Sequence, residues 1–198
     1  SALIHAATMV KAGVYLVART GPMFFNAVVT YGQPFTFFEI VGWIGAATAL
    51  ISAAQALVAK ELKKTLAYST TSQIGYMMLA IGVGGMGLQF AAGYAAGIFH
   101  FMNHAIFKAA AFMAAGAVIH ACETRFMDEM GGIGSRMKLT FAAMLISGLA
   151  LSGVPPFSGF WSKDAILLVT WETGEIWLYL IAAVTAMLTF IYSLKILG

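Results

Sequence analysis

Charge is what this sequence has least of. Only 10% of its 198 residues are Asp, Glu, Lys or Arg, whereas 61% are hydrophobic and the mean hydropathy is +0.87. A water-soluble domain of this size carries about a quarter charged residues. So few polar groups cannot cover a water-facing surface, and the chain reads as a membrane protein. Cysteine is nearly absent as well. Cys122 stands alone, which excludes a disulfide framework, and without a CxxC pair there are no thiolates for an iron–sulfur cluster or a zinc ribbon. The net charge of +3 is too small and too dispersed for a nucleic-acid partner. The chain also has no initiator methionine, charged leader or small-residue cleavage site ahead of its first apolar run, so it is expected to be a piece of a longer polytopic protein.

What is present is a series of apolar runs. A helix needs about 20 such residues to cross a hydrocarbon core of about 30 Å. Six stretches qualify: 2–18, 38–59, 66–83, 90–119, 141–171 and 176–197. The expected fold is therefore an all-α polytopic membrane protein with about six transmembrane helices. The third stretch is the most polar, with Ser69, Thr70, Thr71, Ser72 and Gln73 near its start; such groups can bond the preceding turn or neighbouring helices. Loop charge supports this division. Lys60, Lys63 and Lys64 fall between the second and third stretches, and Arg125, Arg136 and Lys138 between the fourth and fifth; the alternate connections hold Arg19 only. By the positive-inside rule the two basic connections face the cytoplasm, and both ends of the chain lie on that same side.

The fifth stretch, as one straight helix, would run about 46 Å. Its centre, Ser152-Gly-Val-Pro-Pro-Phe-Ser-Gly159, has two consecutive prolines that remove amide donors and disfavour helix before them. The stretch is thus read as a discontinuous helix, with halves near 141–151 and 160–171. Unwound backbone at membrane depth persists only inside protein or beside water, which makes the break a candidate transport site.

Six ionisable groups fall within the spans: His5, Lys11, His100, His104, Lys108 and Lys163. Charge at a lipid-facing helix centre costs about 2.5 to 3.5 kcal/mol or more, so these groups should face the interior or a wet path. His100, His104 and Lys108 repeat every four residues, which places them about 40° apart in azimuth and about 6 Å apart in height, in one stripe. Imidazole accepts and donates protons through its two nitrogens. Such a stripe can relay protons when water fills the gaps. It can also be a purely structural set of hydrogen-bonding histidines. Histidines at i and i+4 can ligate zinc, but Lys108 on the same face would oppose a divalent ion and no further ligand completes the shell. A bis-histidine haem would have only His5 to draw on. Lys163 follows the break, in the first turn of the second half-helix, where the helix dipole and loss of water both act on its amine. Asp164, next in sequence, points about 100° away. His5 and Lys11 point in different directions and need separate partners, Glu39 is read as an interfacial carboxylate, and His120, Glu123, Asp128 and Glu129 as solvated charge.

Four segments carry a family resemblance: Ser1-Ala-Leu-Ile-His5-Ala-Ala-Thr-Met-Val-Lys11-Ala-Gly-Val-Tyr-Leu; Leu66-Ala-Tyr-Ser-Thr-Thr-Ser-Gln-Ile-Gly-Tyr76; Phe99-His100-Phe-Met-Asn-His104-Ala-Ile-Phe-Lys108-Ala; and Ser152-Gly-Val-Pro-Pro-Phe-Ser-Gly-Phe-Trp-Ser-Lys163-Asp164. In order and over nearly the whole chain, they resemble the antiporter-like subunits of respiratory complex I, most closely the subunit 5 or L type. The resemblance implies a proton-translocating subunit of two inverted five-helix repeats, each with a discontinuous helix. Residues 1–18 would be the last helix of the first repeat and 38–197 the second repeat, broken within 141–171. It further implies that His5 links half-channels, that His100, His104 and Lys108 form the central polar axis, and that Lys163 lies on the exit path, with Lys11 and Asp164 in lesser roles. The first repeat's Glu/Lys pair and the lateral helix of this subunit type have no counterpart in the sequence. Lys11 stands where many subunit 5 chains have a neutral residue and the related A-type subunits of sodium/proton antiporters often have lysine.

The function implied is proton movement within a complex I-type NADH or F420H2:quinone oxidoreductase. The chain would hold no redox centre, metal or cofactor itself. Its partners would be other membrane subunits, protons, internal water and the bilayer of a prokaryotic cell membrane or organelle inner membrane. Alternatives are the A-type subunit of a multisubunit sodium/proton antiporter, the membrane subunit of an energy-converting hydrogenase, or a structural scaffold.

Overall fold

A computed structural model describes residues 4, 8–32, 34, 36–87 and 89–197, with the backbone alone for Ile133. Eight α-helices follow one another among these residues: α1 (Ala12–Tyr31), α2 (Thr36–Val58), α3 (Leu62–Met86), α4 (Phe90–Cys122), the single-turn α5 (Ile133–Arg136), α6 (Lys138–Ser152), α7 (Ser158–Glu172) and α8 (Ile176–Leu197). Short 3₁₀ turns cover Met9–Lys11 and Met127–Glu129. Helices α2, α4 and α8 are long and apolar enough to cross a membrane. Helix α3 has the length but is more polar, and the reason lies in its position. It is buried along most of its course, so Thr65, Ser69, Thr70, Ser72 and Gln73 meet protein rather than lipid. The chain is multi-pass and wholly helical in its spanning part.

Small residues let α2 and α3 touch backbone to backbone. A Cβ added at Gly75 would lie 2.6 Å from the Ala49 nitrogen, and one at Gly45 would lie 2.6 Å from that of Leu79. This is how helices associate where lipid removes the hydrophobic driving force. Helix α4 meets α3 in the same way, Gly93 against Gly84.

The discontinuous helix is present where the prolines place it. Helix α6 ends at Gly153, whose φ of +82° is open to glycine at no steric cost; the Gly153 amide caps back to the carbonyls of Leu149 and Ala150 at 3.2 and 3.3 Å. Helix α7 restarts at Ser158, six residues after α6 ends. Gly159 lets α7 pass against the Ala150 carbonyl, where any Cβ would collide.

The first span departs from expectation. The sequence suggests a span over 2–18 with Arg19 in the connection after it, yet α1 begins at Ala12 and continues through Pro22 to Tyr31. Beyond Arg19 the helix is packed by aromatic contacts: Phe24 stacks on Phe37 and Phe25 on Phe90, with ring centroids 4.1 and 4.6 Å apart. Arg19 is consequently within a helix, bonded to the Tyr15 hydroxyl, and is not a loop charge. The two basic connections lie side by side at one end of the bundle. Leu62 N donates to Arg125 O and Met127 N to Lys60 O, each at 3.0 Å. Lys195 joins them there, bonding the carbonyls of Leu57 and Ala59 at the end of α2.

Candidate functional site

A file of buried polar side chains runs between α3, α4, α7 and α8. It begins at the break. Loss of the helix after Ser152 leaves carbonyls of the last turn of α6 without intrahelical partners. Lys163 reaches back from α7 and its Nζ donates to Leu151 O at 2.6 Å. Its position is the sixth residue of α7, two residues further along than the sequence suggests, because the helix restarts at Ser158. The same amine lies 5.8 Å from the centroid of the Tyr76 ring, and the Tyr76 hydroxyl donates to Ala182 O on α8.

One residue before Lys163, Ser162 faces His100. The imidazole is held on both sides, Nδ1 2.8 Å from Ser162 Oγ and Nε2 2.9 Å from Gln73 Oε1. An amide oxygen only accepts, so in this arrangement His100 carries its proton on Nε2 and Nδ1 accepts from the serine. One turn on, His104 is fully buried with its ring centroid 6.2 Å from that of His100, and neither of its nitrogens has a hydrogen-bond partner. A further turn on, Lys108 is fully buried and donates to Ser69 Oγ on α3. The stripe read from the four-residue spacing thus exists, faces inward and has both helix neighbours and gaps.

The other candidates separate. Lys11 is 1% exposed, and its Nζ donates to Phe101 O at 2.8 Å, 4.8 Å from that residue's ring centroid. This seats it against α4 at the residue after His100. Asp164, beside buried Lys163 on α7, is exposed, and Glu39 is exposed as well. His5 lies outside the described residues. No Asp or Glu is buried among the described residues, and among them no three His, Cys, Asp or Glu side chains gather as a metal would require.

Two parts of the file escape a reading of ionisable residues alone. Ser69 and Gln73, four apart on α3, are the partners of Lys108 and His100. On α8, Thr185, Thr189 and Ser193 are also spaced by four, all buried, each hydroxyl donating to the carbonyl four residues earlier. Beside them the Tyr192 hydroxyl sits among Ser72, Gln73 and Thr189 without a well-formed hydrogen bond. The available signal was hydroxyl spacing in an otherwise apolar helix.

The family described as NADH:quinone oxidoreductase/Mrp antiporter, transmembrane, matches residues 1–189. The chain is 47% identical to NAD(P)H-quinone oxidoreductase subunit 5 of the chloroplast of Zygnema circumcarinatum, over 98% of this chain and 27% of that protein. It is 46% identical to F(420)H(2) dehydrogenase subunit L of Methanosarcina mazei, over 100% of this chain and 30% of that one. Among solved structures, a chain of the Mrp complex from a Dietzia species superposes with a TM-score of 0.86 at 33% identity, covering 100% of this chain and 21% of that chain. The chain therefore spans under a third of the length of these relatives.

Proposed function

Since this chain belongs to the NADH:quinone oxidoreductase/Mrp antiporter transmembrane family, we propose that it moves protons as part of a membrane subunit of a complex I-type NADH or F420H2:quinone oxidoreductase. The supporting observation is the buried file itself: Lys163 at the helix break, His100 bridging α3 and α7, His104 with both nitrogens unpartnered, and Lys108. Burying four basic groups without a carboxylate beside them is costly for stability alone. The arrangement suits a group that must gain and lose protons. A buried imidazole without a protein partner, as His104 is, calls for water, and its ring lies 6.2 Å from that of His100. In the proposed relay, a proton arriving on one nitrogen of a ring releases the proton on the other, and the amines of Lys108 and Lys163 take up and return protons at the two ends. Lys11 modulates the field at the histidines from α4's other side; Asp164 has no direct part. Flavin, quinone and clusters belong to other subunits in this reading, and redox chemistry there would drive the relay by changing its field or hydration.

Lys108→Ala and Lys163→Ala, each introduced into the whole complex, are expected to reduce coupled proton pumping by about a hundredfold or more, the usual scale for losing a proton-transfer group. Assembly is followed on native gels. Unchanged proton-to-electron stoichiometry in both assembled variants would overturn the assignment. The fold match to the Mrp complex, together with the buried Lys11, favours a second reading as part of a sodium/proton antiporter. Co-purification of iron–sulfur partners supports the first reading; sodium-driven proton exchange without them supports the second.

A further inference from the structure

A cavity of about 510 Å³ opens between α3, α4, α6 and α8, at the end of the bundle that carries the two basic connections. Leu62 and Met127, whose amides tie those connections together, stand in its wall, and Asp128 supplies a carboxylate there. The other charged group in the wall, Lys195, is bonded to carbonyls at the end of α2. Deeper along the same four helices lies a void of about 10 Å³, room for one water at most. Lys108 borders this void, and so does Ser147 of α6. The Ser147 hydroxyl donates to Ala143 O at 2.6 Å, which leaves its lone pairs free to accept from a water. Every other side chain around the void is apolar. Met144 and Ile196 border both spaces, so they are the partition between the open cavity and Lys108. Ile196 is β-branched and stiff. Met144 is unbranched, with three rotatable bonds, and swings aside without a shift of the backbone. An apolar constriction of this kind opens by wetting and closes by dewetting.

Resting on the proton-relay reading above, we propose that this cavity is the relay's cytoplasmic intake: protons reach Lys108 from the cytoplasm through it, and Met144 with Ile196 form the apolar gate that admits them. In the transfer, a water in the void gives a proton to the neutral amine of Lys108 and takes one from the water behind it in the cavity. Only O–H and N–H bonds are made or broken. The ammonium so formed keeps Ser69 Oγ as its acceptor. Once the gate is dry again the proton has no water to return through, and the course left to it is along the stripe toward His104. Lys163 borders neither space, so the intake serves the Lys108 end of the file.

The test uses the intact complex in membrane vesicles of either orientation, carrying Met144→Cys in a Cys122→Ser background, with the Cys122→Ser complex alone as control. The reagent is a membrane-impermeant methanethiosulfonate bearing a quaternary ammonium group. Coupled pumping is read on the same vesicles before and after reaction, as the proton-to-electron ratio and the rate. Reaction is expected from the cytoplasmic face only. The bulky cationic adduct is expected to lower pumping by about tenfold to a hundredfold, the upper figure being the loss of the proton-transfer group itself. Ile196→Cys, treated in the same way, answers the question should Met144→Cys not assemble on native gels. No reaction, reaction from the opposite face, or an adduct that leaves pumping as it was overturns the intake. Lys108→Ala in the same assay separates the two levels: if it stops pumping while the adduct does not, only the intake fails, and if it pumps normally the relay reading itself falls.

Discussion

The three side chains of the α4 stripe differ in how firmly they are held, and that difference sorts the effects of removing them. His100 is gripped by Ser162 and Gln73, His104 by nothing polar, and Lys108 by Ser69. His100→Ala leaves a polar recess with Gln73 and Ser162 on its walls, wide enough for water to replace a ring. We expect this variant to retain more of the proton-to-electron ratio than Lys108→Ala, whose deleted amine has no neighbour able to stand in for it. Equal and near-complete losses at both positions, in assembled complexes, would contradict the bridging role of water. The stripe was legible because a four-residue spacing of His, His and Lys in an apolar run has one geometric outcome on a helix. Which of them would be bonded was not, since the partners come from helices 27 and 62 residues away in the chain.

The break between α6 and α7 depends on close backbone approach as much as on proline. At Gly159 an added Cβ would run into the Ala150 carbonyl, whereas at Gly116, within α4, it would meet nothing within 4 Å. Gly159→Ala is therefore expected to destabilise the assembled protein by about 1 to 3 kcal/mol, the typical cost of overpacking. Gly116→Ala should be neutral or slightly stabilising through helix propensity. Thermal midpoints of the purified complex check both, and a tolerant Gly159→Ala would mean that the half-helices are free to separate. The prolines made the break readable to within a few residues. The course of α1 was not readable, because the apolar run is interrupted at Arg19 and the stacking of Phe24 and Phe25 on rings of other segments, which supports the helix beyond it, is a tertiary contact.

Over the whole molecule, the backbone bonds joining residues 60–62 to 125–127 tie the two basic connections together at one end. This agrees with the charge asymmetry that put both on the cytoplasmic side. Lys63→Cys and Arg125→Cys, each in a Cys122→Ser background, are expected to react with a membrane-impermeant maleimide from that side only; labelling of the two from opposite sides would refute the topology. At the opposite extreme of polarity, the interior holds bases and no acids among the described residues. Two imidazolium rings 6.2 Å apart would repel by about 3 kcal/mol at an effective dielectric of about 20. Double loading of the neighbouring histidines is thereby disfavoured roughly a hundredfold. With no counter-ion to soften that repulsion, the conduit behaves as a turnstile, admitting one passenger at a time.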